Sequence, residues 1–187
     1  MNMIFIQNNQ FQLNTKNTSY IMHNENGVLC HTYYGKSLPD VDHSYMAKRN
    51  FYNGDFQSNI SENVPTLDNA LLEYPTFGDG GITNPSLEVL NADGTNFADL
   101  NVTDYVIHNG KPKINGLPAA YCEDGDMVET LEIVTLDSFS KVEVRLYYAV
   151  FYDYDVITRW VKITNDGENA ITLLRVLSGN IAFDNNN

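Results

Sequence analysis

Apolar and polar side chains alternate most clearly over residues 141–152. Every second side chain in that stretch is apolar, and Glu143, Arg145 and Tyr147 occupy positions between them. Side chains on a β-strand point alternately to its two faces, so a period of two predicts a strand with one face on a core. The apolar positions are Val142, Val144, Leu146, Tyr148 and Val150.

The next segment, 156–164, is also predicted to be a strand, but it carries bulky side chains on both faces. Ile157, Val161 and Ile163 fall on one side, and Trp160 falls on the other. Such a strand is typical of a position between two layers or beside an interface.

Short strand signals bounded by turn residues recur along the rest of the chain. Segments 3–6 and 11–13 flank residues 8–10, segments 19–22 and 28–34 flank residues 24–27, and segment 86–91 precedes a turn at 92–94. The dipeptide Asn109-Gly110 predicts a two-residue type I′ hairpin, because both central positions of that turn need a positive φ. Together these signals predict a single all-β domain over residues 1–187.

Residues 36–84 show no sustained period and are rich in Asp, Asn, Gly, Ser and Pro. The one helix-like patch within them is 66–74. A loop of this length inside a compact domain is usually functional or disordered. Its six aromatic side chains argue against disorder. We therefore expect an ordered excursion that packs on another surface, such as a second subunit.

Composition and charge exclude several classes of function. The 187 residues are 43% hydrophobic, which is enough for a sizeable core, and their net charge of −13 would repel nucleic acid and anionic membranes. Cys30 and Cys122 form neither a disulfide framework nor a zinc-ligand spacing. The N-terminus has no signal-peptide pattern and the chain has no apolar run of membrane-spanning length. We therefore expect a cytoplasmic protein with reduced thiols.

Candidate chemistry is sparse. The chain lacks a nucleophile elbow and a phosphate-binding loop, and its four histidines are scattered. The acid pairs Asp124/Asp126 and Asp153/Asp155 lie in turns, where carboxylates more often form Asx hydrogen bonds than act in glycoside hydrolysis or bind calcium. Tyrosine-rich surfaces bind sugars, but core and interface tyrosines are more common.

Six sequence strings carry a family resemblance. They are SYIM (19–22), YYGK (33–36), EYPTFG (73–78), GKPKINGLPA (110–119), ETLEI (129–133) and ITR (157–159). With these strings, from near residue 5 to Phe183, the chain resembles the N-terminal domain of the bacterial α-galactosidases of glycoside hydrolase family 36. The strings at 73–78 and 110–119 are specific when they occur together.

The resemblance implies a large two-sheet antiparallel β-supersandwich that precedes a catalytic (β/α)₈ barrel in the same parent chain. It implies that the whole enzyme hydrolyses terminal α-galactosides, such as melibiose and raffinose, through two aspartates of the barrel. We expect this sequence to stop where the barrel begins. It would then contain no catalytic residue, and we expect no metal and no cofactor.

The resemblance also implies a homo-oligomer in which a loop of this domain reaches a neighbour's active-site mouth. The corresponding region here is 40–60. Phe51 stands where an aspartate that helps to hold the substrate is expected, Arg49 lies two residues before it, and Asp55 is the nearest acid. Arg49 and Asp55 are therefore the candidate substrate-binding residues.

Three hypotheses of function follow. The first is a non-catalytic sandwich domain that packs on the barrel, joins subunits and shapes the substrate entrance. The second is a stand-alone carbohydrate-binding β-sandwich module, and the third is a complete enzyme. Binding of galactosides and hydrolysis of galactosides by the pure protein distinguish the three.

Overall fold

The described residues form ten strands, and every pair among these strands is antiparallel. The structure is a computed structural model that describes residues 2–46, 70–78, 84–116 and 118–181. The strands are β1 (Ile4–Gln7), β2 (Gln10–Asn14), β3 (Thr18–Glu25), β4 (Val28–Lys36), β5 (Leu87–Leu90), β6 (Leu100–Asn109), β7 (Val128–Asp137), β8 (Val142–Phe151), β9 (Val156–Asn165) and β10 (Thr172–Val176). Two 3₁₀ turns lie at Ser44–Met46 and Tyr152–Tyr154.

Two four-stranded meanders enclose the core. One sheet has the order β1-β2-β3-β4, the other has the order β6-β7-β8-β9, and β5 pairs with β10 in a separate two-stranded sheet. Buried side chains from both meanders and from β5 form one cluster, in which the rings of Tyr20 and Tyr148 lie 6.4 Å apart. The predicted all-β antiparallel sandwich is confirmed, with the small β5–β10 sheet added to its two main layers.

Strand β8 follows its predicted pattern. Val142, Val144, Leu146, Tyr148 and Val150 are all buried in the shared core. On β9, Ile157, Val161 and Ile163 pack against the same core, while Trp160 packs against a second cluster on the outer face. The apolar side chains of β9 therefore pack in two clusters, one on each face of its sheet.

The predicted turns at 8–10 and 24–27 are confirmed, and they join β1 to β2 and β3 to β4 as hairpins. Asn8 and Asn9 have φ of 48° and 64°, and Asn26 and Gly27 have φ of 53° and 98°. Two consecutive positive φ values give a two-residue turn whose twist matches that of the flanking strands.

The predicted hairpin at Asn109-Gly110 is wrong. Gly110 has a φ of 79°, but Asn109 is the last residue of β6 and pairs with Glu129 of β7. Residues 110–127 connect the two strands, so the hairpin has a long loop. Gly110 starts that loop: its N–H donates to the Val128 carbonyl, and its own carbonyl accepts from the Thr130 hydroxyl.

The described ends of the 36–84 excursion pack on this chain's own sheets. Gln10 and Gln12, on the outer face of β2, donate side-chain hydrogen bonds to the carbonyls of residues 38, 39 and 41. Residues 70–74 are not helical, contrary to the prediction; Leu72 forms a bridge to Cys30 of β4. The rest of the helix-like patch, 66–69, lies outside the described residues.

Candidate functional site

The two predicted substrate-binding residues, Arg49 and Asp55, lie outside the described residues, as does Phe51. The acid pairs that the sequence singled out lie at turns. Asp155 accepts hydrogen bonds from the Thr15 hydroxyl at 2.9 Å and from the Asn17 amide N–H at 2.8 Å.

These bonds, together with one from the Asn17 side chain, hold the pKa of Asp155 below its usual range. Asp126 accepts from the Glu123 N–H and the Tyr154 hydroxyl. Asp124 and Asp153 are exposed. Both pairs therefore contain an acid that stabilises a turn.

The main polar site is a buried cluster around Glu73, between the two large sheets. Glu73 is fully buried, and its Oε1 lies 2.7 Å from Nη2 of Arg159 on β9. The hydroxyls of Tyr20 and Tyr148 donate to the same carboxylate at 2.7 and 3.0 Å. His31 Nδ1 lies 3.7 Å from Oε2. The site thus pairs one buried carboxylate with one buried guanidinium and two phenol donors.

Burial and the Glu73 charge raise the pKa of both Tyr20 and Tyr148. Burial alone would lower the pKa of Arg159, but the surrounding Tyr148, Glu73 and Tyr20 raise it. The Arg159 guanidinium also lies 5.0 Å from the centroid of the Tyr148 ring. The cluster therefore keeps its guanidinium charged and its phenols protonated, and its enclosure makes it a structural ion pair.

A second polar group lies on the outer face of the β6–β9 sheet. Glu132 accepts from Arg145 Nη1 at 2.6 Å, and His108 Nε2 lies 2.6 Å from its other oxygen. Burial raises the pKa of Glu132, but the hydrogen bonds from His108 and Arg145 outweigh it and lower that pKa.

Beside Glu132, the rings of Tyr147 and Trp160 stack with centroids 4.8 Å apart and an interplanar angle of 1°. Lys111 Nζ lies 4.5 Å from the Trp160 ring centroid. Protein groups therefore already occupy the stacking surface of the indole, which a pyranose ring would need.

Strand β10 presents apolar side chains to solvent. All five of its residues are exposed, and Leu174 has a relative exposure of 56%. The exposed apolar side chains here are Leu90, Leu173, Leu174, Val176, Leu177 and Ile181. Exposed apolar side chains grouped on one strand and its neighbours are typical of a site of contact with other polypeptide.

Metal and redox chemistry have little support in the described part of the chain. Residues 2–46, 70–78, 84–116 and 118–181 contain no group of three or more metal-ligating side chains. Cys30 and Cys122 are free thiols, and burial raises the pKa of Cys30 to about 11. Within the same ranges, none of the helices is long and apolar enough to span a membrane.

The sequence analysis did not single out the Glu73 cluster, although a signal was present. Arg159 lies two residues from both Ile157 and Val161, so on a strand its side chain points to the same face, toward the core. A buried cation needs an acid partner. The three strings at 19–22, 73–78 and 157–159 each supply one member: Tyr20, Glu73 and Arg159.

The fold and its polar sites define an all-β sandwich domain stabilised by a buried ion pair, with an apolar strand exposed at one side. A family model described as the glycosyl hydrolase family 36 N-terminal domain matches residues 27–187. The chain belongs to this family.

Relatives and solved structures agree with this assignment. Alpha-galactosidase AgaA of Geobacillus stearothermophilus is 35% identical over 178 residues, which are 95% of this chain and 24% of that protein. Alpha-galactosidase 1 of Pediococcus pentosaceus is 37% identical over 182 residues, 94% of this chain and 24% of that protein. The crystal structure of the Geobacillus enzyme matches with a TM-score of 0.81 and 36% identity, over 91% of this chain and 24% of that one.

The alpha-galactosidase of Lactobacillus brevis matches with a TM-score of 0.85 and 26% identity, over 93% of this chain and 24% of that one. The chain therefore spans about a quarter of the length of these relatives. In them, the matched domain is part of a larger chain that also has a catalytic domain.

Proposed function

We propose that this chain is the non-catalytic N-terminal part of an α-galactosidase-like glycoside hydrolase. It packs against the catalytic barrel, contributes to subunit contacts and shapes the substrate entrance. The whole enzyme acts on terminal α-galactosides. A variant of the Geobacillus relative has been solved in complex with raffinose, which supports this substrate class.

One observation carries the proposal: a chain that matches the family 36 N-terminal model over 27–187 aligns with only 24% of the α-galactosidases of Geobacillus stearothermophilus and Pediococcus pentosaceus. The chemistry of the described residues agrees with it. Glu73 is buried against Arg159, and Glu132 is engaged by Arg145 and His108. These carboxylates hold the sandwich together, and their partners leave little room for a substrate.

The apolar surface of β10 supports the packing role. Leu173, Leu174 and Val176 are each more than 40% exposed on a strand that, within the described residues, pairs with β5 alone. Burying that surface against a further domain or a second subunit would stabilise the assembly by roughly 25 cal/mol per Å² of apolar area.

Sedimentation velocity of the pure chain tests the contact role. We expect reversible self-association that weakens in Leu174→Glu, because the substitution places a charge in the apolar surface. Tyr121→Glu is the matched control, because it places the same charge at an exposed aromatic side chain of the loop between β6 and β7, and it should associate like the parent. A monomer at every concentration would contradict this part of the proposal.

Calorimetry with galactose and raffinose tests the alternative, a stand-alone carbohydrate-binding module. The accessory role predicts no heat of binding at millimolar sugar. Binding that is lost in Trp160→Ala would favour the module instead.

A further inference from the structure

Three separate parts of the chain hold residues 177–180, which follow β10. The Leu177 N–H donates to the Ser86 carbonyl at 2.9 Å. The Tyr74 hydroxyl donates to the Leu177 carbonyl at 3.0 Å, and Arg159 Nη1 donates to the Asn180 carbonyl at 3.1 Å. Two of these donors, Tyr74 and Arg159, belong to the buried cluster or lie next to it.

Gly179 lies against the Arg159 guanidinium. A Cβ atom at position 179 would overlap Nη2, Cζ and Nε of Arg159. A larger residue at position 179 would therefore displace the Arg159 guanidinium, and the contact involves its Nη2, Cζ and Nε atoms.

The guanidinium is itself held in place. Nη2 lies 2.7 Å from Glu73 Oε1, while Nη1 lies 3.1 Å from the Asn180 carbonyl and 3.4 Å from the Tyr20 hydroxyl. The planar fork of arginine satisfies partners in several fixed directions, which a lysine ammonium does not. One side chain thus joins the buried carboxylate to the backbone of residues 179–180.

We propose that Arg159 is a positioning residue: it ties residues 177–180 to Glu73 and so fixes the direction in which the chain leaves the β5–β10 sheet. The consequence rests on the proposed accessory role, because a fixed direction here orients any domain joined beyond this segment. The contacts that join residues 177–180 to Arg159 and Glu73 lie within this chain, so their effect is measured without an activity assay.

Amide hydrogen exchange and ¹⁵N relaxation on the 187-residue chain test the tie. In Arg159→Lys, the charge remains but the fork is lost, and we expect the Leu177 amide to exchange about tenfold faster. The order parameters of residues 179 and 180 should fall at the same time. In Tyr74→Phe, which removes a single hydroxyl, the same amide should exchange several-fold faster.

The controls separate a local tie from a general loss of stability. Arg175→Lys changes an exposed arginine of β10 and should leave the Leu177 amide unaltered. The amides of β7 should stay within about twofold of the parent in all three variants. Unaltered exchange at Leu177 together with unaltered order parameters at residues 179 and 180 in Arg159→Lys would overturn the proposal, whatever Tyr74→Phe shows, and so would equal acceleration of the β7 amides.

If Arg159→Lys does not fold, Gly179→Ala tests the proposal: its Cβ would displace the Arg159 guanidinium from residues 179–180 while the charge remains, so the order parameters of residues 179 and 180 should fall, and unaltered values would overturn the proposal. The result is independent of the proposed function: galactoside hydrolysis by the pure chain would overturn the accessory role and leave the tie intact. Unaltered exchange with unaltered order parameters would overturn the tie and leave the accessory role intact.

Discussion

Glu73 is the residue on which the interior of the sandwich depends most. It is fully buried and accepts from Tyr20, Tyr148 and Arg159. Replacing it with glutamine removes the countercharge of a buried guanidinium. Removing one partner of a buried pair leaves the other charge uncompensated, which costs more than the pair itself contributes.

We expect Glu73→Gln to lower the free energy of unfolding by about 3–5 kcal/mol, measured by urea denaturation. Glu88→Gln is the matched control, because Glu88 is only half-buried and lies 3.7 Å from the exposed Arg175. Its cost should stay within about 1 kcal/mol. Equal costs for the two substitutions would contradict the structural role assigned to the buried pair.

At the scale of residues, the sequence predicts the apolar positions better than the polar ones. The alternation on 141–152 predicts the buried side chains of β8 because the period of two follows directly from strand geometry. Glu73 could not be placed from its own neighbourhood, since residues 36–84 have no period. Its burial depends on Arg159, which is 86 positions away in sequence but opposite Tyr148 in the sheet.

At the scale of elements, turns decide where the strands end. Gly27 has a φ of 98° in the β3–β4 turn, and a Cβ there would overlap the side chain of Asn101. Gly94 has a φ of 86°, and a Cβ there would have open space around it. Substitution at Gly94 therefore introduces backbone strain alone, whereas substitution at Gly27 introduces backbone strain and a steric overlap with Asn101.

We expect Gly94→Ala to cost about 1–2 kcal/mol, because an L-residue is strained at positive φ. Gly27→Ala should cost more, since Asn101 must also move. Thermal unfolding of the two variants measures the difference. A smaller loss for Gly27→Ala than for Gly94→Ala would show that the contact with Asn101 is not tight.

The hairpins also show what local sequence can and cannot predict. The turns at Asn8-Asn9 and Asn26-Gly27 follow from residue type, because asparagine and glycine tolerate a positive φ. At Asn109-Gly110 the same signal fails. Gly110 is the first residue of an 18-residue loop, 110–127, and β7, which pairs with β6, begins after this loop. The length of the loop depends on which later segment pairs with β6, and the residues around 109–110 do not determine that segment.

At the scale of the whole molecule, alkaline pH tests the packing of several buried groups together. Burial raises the pKa of Cys30 to about 11 and that of Tyr74 to about 12. A group whose pKa is higher in the folded state stabilises the fold below its unfolded pKa and loses that contribution as the pH rises through the folded value. Unfolded cysteine and tyrosine titrate near pH 8.5 and 10.

We therefore expect the melting temperature to be level between about pH 7 and 8 and to fall above about pH 9. Cys30→Ala should reduce the part of this fall between pH 9 and about pH 11, the folded pKa of that thiol. Cys122→Ala is the matched control, because Cys122 is exposed. A melting temperature that rises over this range would contradict the assigned burial.

The architecture follows from sequence more readily than the role of the domain. Alternating strands and turn residues predict an all-β sandwich, and the strings at 73–78 and 110–119 indicate the family. The predicted substrate-binding residues, Arg49 and Asp55, lie within 36–84, which has no sustained hydrophobic period, so no strand pattern predicts their position.

Assay of the pure 187-residue chain on an aryl α-galactoside and on raffinose tests the proposed non-catalytic role. We expect release of galactose no faster than in buffer, because the proposed accessory role assigns the reacting acids to the catalytic domain. Galactose release that copurifies with the chain and is abolished by substitution of one of its own carboxylates would contradict it.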